Sequence, residues 1–136
     1  MKKKVLIVVA DYYKNISSGL INSAKKEIQN FFSIRVIRVP GVFEIPVMIS
    51  KNINKFDGFI ALGCVIKGKT PHFDFLCNST FNAIANLSVN NKAPIGNGIL
   101  TCKNKNQALI RSDVKKVNKG ADAAEALISL FNIIKK

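Results

Sequence analysis

The chain has 136 residues, 48% of them hydrophobic, with 21 lysines and arginines against 8 acidic residues. That length holds one domain with a real core and excludes two, and so much apolar content excludes a disordered chain. A net charge of +13 points first to nucleic acid, but the basic residues are spread along the whole chain, many beside Asn and Ile. A solvated surface that also favours anionic substrates is the simpler reading.

The opening run Lys4-Val5-Leu6-Ile7-Val8-Val9-Ala10 is rich in β-branched residues without interruption, as in a strand buried on both faces. It is far too short to span a bilayer. Lys2 to Lys4 ahead of it imitate the start of a signal peptide, yet polar Asp11 to Lys14 follow at once; a cytoplasmic protein is expected. Ile16, Leu20, Ala24 and Ile28 recur at helical spacing, predicting a helix over residues 16–31. Ile34, Val36, Ile37 and Val39 predict a second strand over residues 33–39, ended by Pro40-Gly41. Residues 44–53 read as helix, with Pro46 tolerable only in its first turn. Residues 58–63 form a third buried strand, and residues 72–87 a helix carrying Phe73, Leu76, Phe81 and Ile84 on one side. A short strand follows over residues 94–100, then a helix starting over residues 107–111. The last helix, residues 118–134, shows a continuous stripe of Ala121, Ala124, Leu127, Ile128, Phe131 and Ile134.

Strands alternating with helices imply right-handed crossovers and a parallel sheet covered on both faces, here a single domain over residues 1–136. Ligands bind such folds outside the carboxyl ends of the strands, at loops expected to begin at Asp11, Pro40, Gly63 and Thr101. Cys64, Cys77 and Cys102 form no CxxC pair and are odd in number, so reduced thiols are expected. With one histidine and no cysteine cluster, neither metal nor cofactor is expected.

Gly63-Cys64-Val65-Ile66-Lys67-Gly68-Lys69-Thr70 fits GxxxxGK[ST], the phosphate loop of nucleotide hydrolases, between a strand and a helix. Glycines allow close backbone approach, and amides at a helix N-terminus attract phosphate. The motif lies on the third strand of a short chain, however, and no later strand ends in an Asp able to hold magnesium. A phosphate site of another kind is the better reading; a small nucleotide hydrolase and a basic nucleic-acid-binding module stand as the alternatives.

His72, the only histidine, sits beside that segment, and an imidazole is the side chain suited to giving and taking protons under physiological conditions. It is the natural proton carrier, and Asp74 is placed to orient its ring or simply to favour the helix dipole. Glu44 suits the hydroxyls of a polyol as well as the first turn of a helix. Tyr12 can stack on a planar heterocycle. Arg111 and Lys119 are, on their own, two basic residues among many. These residues suggest a phosphorylated, ring-bearing substrate and general acid–base catalysis.

The segments together resemble the lumazine synthases over nearly the whole chain. The most specific parts are Val39-Pro40-Gly41-Val42-Phe43-Glu44-Ile45-Pro46 and Ala61-Leu62-Gly63-Cys64-Val65-Ile66-Lys67-Gly68-Lys69-Thr70-Pro71-His72-Phe73-Asp74. Gly98-Ile99-Leu100-Thr101 and Asn118-Lys119-Gly120 agree in order and spacing. The resemblance implies a flavodoxin-like three-layer α/β sandwich with a four-stranded parallel sheet. It also implies a homopentamer, in some members packed into decamers or 60-subunit shells, with active sites at subunit interfaces. The reaction it implies is a transferase reaction of riboflavin biosynthesis. In it, 5-amino-6-(D-ribitylamino)uracil and 3,4-dihydroxy-2-butanone 4-phosphate give 6,7-dimethyl-8-ribityllumazine, phosphate and water. Imine formation, phosphate elimination, ring closure and dehydration need positioning and proton transfer, with no cofactor, nucleic acid or membrane.

Carried onto this sequence, the resemblance implies that Tyr12 stacks on the pyrimidine, where the family usually has Phe. Val42, Phe43 and Glu44 hold the uracil and ribityl chain, and Cys64, Val65 and Ile66 line the pyrimidine pocket. Lys69 and Thr70 bind the butanone phosphate, and His72 is the proton donor. Asn97, Arg111 and Lys119 match positions supplied by the adjacent subunit, Arg111 pairing with phosphate. Asn97 stands where Phe is common, Ser79 replaces an acid found in many members, and Ser112-Asp113-Val114 lacks the glycine common after the Arg.

Overall fold

The structure, a computed structural model, describes residues 2–69 and 71–134. Strand β1 (Lys3–Ala10) is the second of four in a sheet of order β2-β1-β3-β4, with β2 (Phe32–Val39), β3 (Gly58–Ile66) and β4 (Ile95–Cys102). Every pairing is parallel, so all four carboxyl ends lie on one edge. Each crossover is a helix: α1 (Lys14–Ile28) joins β1 to β2, α2 (Ile45–Lys51) joins β2 to β3, and α3 (His72–Asn91) joins β3 to β4. Helices α4 (Lys105–Ser112) and α5 (Lys119–Ile134) complete the chain.

The period-2 direction of strand side chains splits the core into two layers. Odd residues of β1 (Val5, Ile7, Val9) join Ile60, Leu62, Cys64, Leu100 and Cys102 on one face. There they meet Ile16, Leu20 and Ala24 of α1 and Ala124 and Leu127 of α5. The alternate residues Leu6, Val8, Phe59, Ala61, Ile95 and Ile99 turn the other way, onto Ile45 and Ile49 of α2 and Ile84 of α3. β1 and β3 are apolar at nearly every position because both faces are covered, as the unbroken hydrophobic runs predict. The flavodoxin-like sandwich is the architecture found. At Gly96 the backbone of α5 lies against β4 so closely that a Cβ would run into the Ala123 carbonyl.

Boundaries moved where local chemistry outweighed periodicity. The segment expected as one helix over residues 44–53 is a 3-10 turn (Val42–Glu44) followed by α2, with Pro46 in its first turn, where no N–H is needed. β3 does not stop at Gly63 but continues to Ile66, because Gly63 to Ile66 keep their ladder with residues 99–102 of β4. α3 reaches Asn91, closed by Lys92 in the left-handed region (φ 52°). α5 starts one residue later than expected, after Asn118 at φ 56°. No helix among the described residues is long and apolar enough to cross a membrane.

Candidate active site

The first loop is held tightly. Ser17 Oγ donates to the Ala10 carbonyl at 2.9 Å, tying α1 to the end of β1, and the Asp11 amide donates to the Val39 carbonyl at 2.9 Å. Arg38 pairs with Asp11 at 3.3 Å. This fixes the exit of the chain and leaves the Tyr12 ring 74% exposed, set edge-on against Tyr13 at 4.8 Å. Burial and the nearby Cys64 raise the Tyr13 phenol above its ordinary pKa.

The second loop folds into the 3-10 turn. Val42 is buried, Phe43 is 66% exposed, and Glu44 is half-buried with Oε1 accepting the Gly41 N–H at 2.9 Å. A carboxylate held by a backbone donor has a fixed direction. The turn seats on β3 through Gly63: a Cβ there would stand 2.9 Å from Val42 Cγ1 and 3.0 Å from Ala10 Cβ. Phe43 and Glu44 then line a cleft of about 340 Å³ with Val47, Ser79 and Thr80.

Four residues of the octapeptide that fits a nucleotide-binding loop are therefore strand. A nucleotide-binding loop needs its first glycine to leave the strand and wrap the phosphates; here Gly63 is paired in the sheet. Lys67, Gly68, Lys69 and Pro71 form the described part of the β3–α3 connection, all exposed, and a Cβ at Gly68 would meet nothing within 4 Å. The Lys67 N–H donates to the Cys102 carbonyl at 2.8 Å, anchoring the start of this loop to β4. Thr70 lies outside the described residues. His72 is exposed at the first position of α3, at the helix end whose dipole favours an anion.

Of the pyrimidine-pocket candidates, Cys64 is buried in the α1–α5 face of the core, whereas Val65 and Ile66 are half-buried toward the end of β3. Burial, then the charge and hydrogen bond of neighbouring Cys102, push the Cys64 thiol up to about 12. It is a neutral packing group, not a nucleophile. All three cysteines are free thiols, as expected.

Asn97, Arg111 and Lys119, scattered in sequence, line one cavity of about 370 Å³ along the β4 edge, together with Phe81, Thr101 and Val117. Asn97 and Thr101 are exposed because α3 covers Ile95 and Ile99 but not the outer strand completely. The Asn97 side chain accepts the Ile99 N–H at 3.0 Å. Arg111 donates to the Thr101 carbonyl at 3.3 Å and to Cys102 Sγ at 3.6 Å. Neither Tyr12, Phe43, Glu44, Lys69 nor His72 lines this cavity. Sequence reasoning gave no site role to Phe81 or Val117, and marked Thr101 only as the start of a ligand loop. For Thr101 the signal was available, since period 2 from Asn97 puts it on the same face.

Parallel strands in one sheet with helices on both faces define the class: a flavodoxin-like α/β protein, a fold in which ligands bind outside the carboxyl ends of the strands. A family model described as 6,7-dimethyl-8-ribityllumazine synthase matches residues 2–135. A protein of that name from Zymomonas mobilis is 42% identical over 136 residues, covering 98% of this chain and 97% of its own. Those named alike from Bartonella tribocorum (42% identical, 100% of this chain and 94% of its own) and Methylorubrum populi (41%, 96% and 82%) agree along nearly the full length. The chain belongs to the 6,7-dimethyl-8-ribityllumazine synthase family, a family of enzymes.

Proposed function

We propose that this protein condenses 5-amino-6-(D-ribitylamino)uracil with 3,4-dihydroxy-2-butanone 4-phosphate to 6,7-dimethyl-8-ribityllumazine, at sites built between copies of the chain in the cytoplasm. One observation carries the shared site: residues expected in a single pocket divide between separate surfaces of one chain. Tyr12, Val42, Phe43, Glu44, Lys69 and His72 belong to the loops after β1, β2 and β3. Asn97, Arg111 and Lys119 line the cavity at the β4 edge. A second copy laying its β4 edge beside those loops brings both groups together.

In this arrangement Tyr12 stacks on the pyrimidine, and Cys64, Val65 and Ile66 form the floor beneath it through the end of β3. Glu44, already oriented by the Gly41 amide, accepts from ribityl hydroxyls beside Phe43 and Val42. Lys69 and Thr70, just ahead of α3 in the sequence, and Arg111 of the neighbour bind the phosphate. His72 passes protons during imine formation and phosphate elimination; Asn97 and Lys119 of the neighbour close the pocket.

The pentamer in this proposal requires an apolar interface between copies, and α3 offers a surface for one. α3 is 20 residues long yet buries only Cys77, Thr80 and Ile84, leaving Phe75 68% and Val89 76% exposed. Exposed apolar side chains in that number on one helix are what an interface covers. Purified protein given the two substrates without added metal is expected to form a fluorescent lumazine, with inorganic phosphate released one for one. ATP turnover with magnesium in its place would return the nucleotide-hydrolase reading.

A further inference from the structure

We propose that Cys102 is a positioning residue for Arg111, its sulfur holding the guanidinium in the pose that receives an anion. The inference rests on the function proposed above and adds a residue to it.

Arg111 ends a long side chain whose freedom must be lost before it can bind with a defined geometry. Among the described residues no carboxylate forms an ion pair with it, unlike Arg38, which pairs with Asp11. The arginine charge is thus left for a ligand, while its direction comes from two uncharged acceptors. The Thr101 carbonyl at 3.3 Å is a backbone group that no substitution removes; Cys102 Sγ at 3.6 Å is a side chain. Cys102 is 1% exposed, so water does not compete for its sulfur. Its backbone is fixed as well, through the β3 ladder and the Lys67 N–H bonded to its carbonyl at 2.8 Å. A buried, immobile acceptor under a half-buried guanidinium sets where the remaining N–H groups of the fork point, toward the cavity shared with Asn97 and Lys119.

The test separates acceptor from volume. Cys102→Ser keeps an acceptor, Cys102→Val keeps bulk without one, and Cys102→Ala keeps neither. Loss of one modest hydrogen bond corresponds to about 3–10-fold. Val and Ala are expected to raise KM for the phosphorylated butanone by that factor, with kcat and KM for the uracil unchanged, and Ser to recover most of it. Titration with inorganic phosphate, followed by calorimetry, should show the same order without any turnover. A packing role predicts the reverse, with Val near wild type and Ser impaired, and that result overturns the proposal. So does wild-type phosphate affinity in both Val and Ala. Should either variant not fold, judged by melting, the other carries the comparison against Ser. Absence of lumazine from the wild type would defeat the function on which this rests, whereas the phosphate titration would still report on Cys102 itself.

Discussion

Val42 and Gly63 touch so closely that no methyl group fits between them: a Cβ at Gly63 would lie 2.9 Å from Val42 Cγ1. The contact seats the 3-10 turn on the end of β3 and so sets how far Phe43 and Glu44 stand above the sheet. Gly63→Ala must push Val42 or Ala10 aside. The expected cost is about 1–3 kcal/mol of stability, as for other overpacked cores. A KM for the ribitylaminouracil raised more than that for the butanone should accompany it. Thermal melting and two-substrate kinetics check both; unchanged kinetics would show that the turn is placed by other contacts.

Glu44→Gln keeps shape and an acceptor oxygen but removes the charge from the bond to the Gly41 amide. Charge-assisted bonds are roughly twice as strong as neutral ones. The expected outcome is about 1 kcal/mol lost from stability and weaker ribitylaminouracil binding, with little change in kcat. Equal weakening for a uracil lacking its ribityl chain would remove Glu44 from polyol recognition.

Arg111→Ala should raise KM for the phosphorylated butanone far more than for the uracil. Removing a charged donor from a phosphate costs about 2–3 kcal/mol, or some 30–150-fold. Steady-state kinetics with each substrate varied in turn decides it, and equal effects on both would contradict the assigned role.

How much of this was legible without coordinates differs between fold and site. The two apolar strands β1 and β3 and the stripe on α5 announced themselves, because burial on two faces or along one stripe leaves a plain periodic mark. The 3-10 turn at Val42–Glu44 did not, since three residues of 3-10 helix and the first turn of an α-helix look alike in sequence. The end of β3 was misplaced because Gly63 reads as a strand terminator; its real reason is the approach of Val42, a long-range contact invisible to local propensity. Asn97, Arg111 and Lys119 were given site roles only through the family resemblance. Their convergence on one cavity depends on tertiary placement of β4, α4 and α5, and the Cys102–Arg111 contact left no sequence signal at all.

His72→Ala should slow turnover by about 100-fold, the lower end of what a positioned acid or base contributes. It should not abolish it, because orientation of the two substrates remains. Wild-type turnover in this variant would take the imidazole out of the mechanism.

Alkaline stability follows from Cys64. Its folded pKa of about 12 lies above the ordinary thiol value of 9.0, so the folded protein keeps a proton that the unfolded chain loses. That contribution is complete below pH 9 and falls away as pH rises toward 12. Denaturant midpoints measured across this window should drop, and less steeply in Cys64→Ala. Iodoacetamide at pH 8 should leave Cys64 unmodified in the folded protein; rapid labelling there would mean the thiol is not buried as described.

Subunit complementation goes to the centre of the account, the claim that two copies build each site. His72→Ala and Arg111→Ala chains are unfolded together, refolded as mixed oligomers and assayed for lumazine at limiting butanone phosphate. With the loops supplied by one copy and the β4 edge by its neighbour, random mixing regenerates intact sites at about a quarter of the interfaces. Activity should then rise well above that of either variant alone. Mixed oligomers no more active than the average of the two parents would place the whole site within a single chain and contradict the shared pocket.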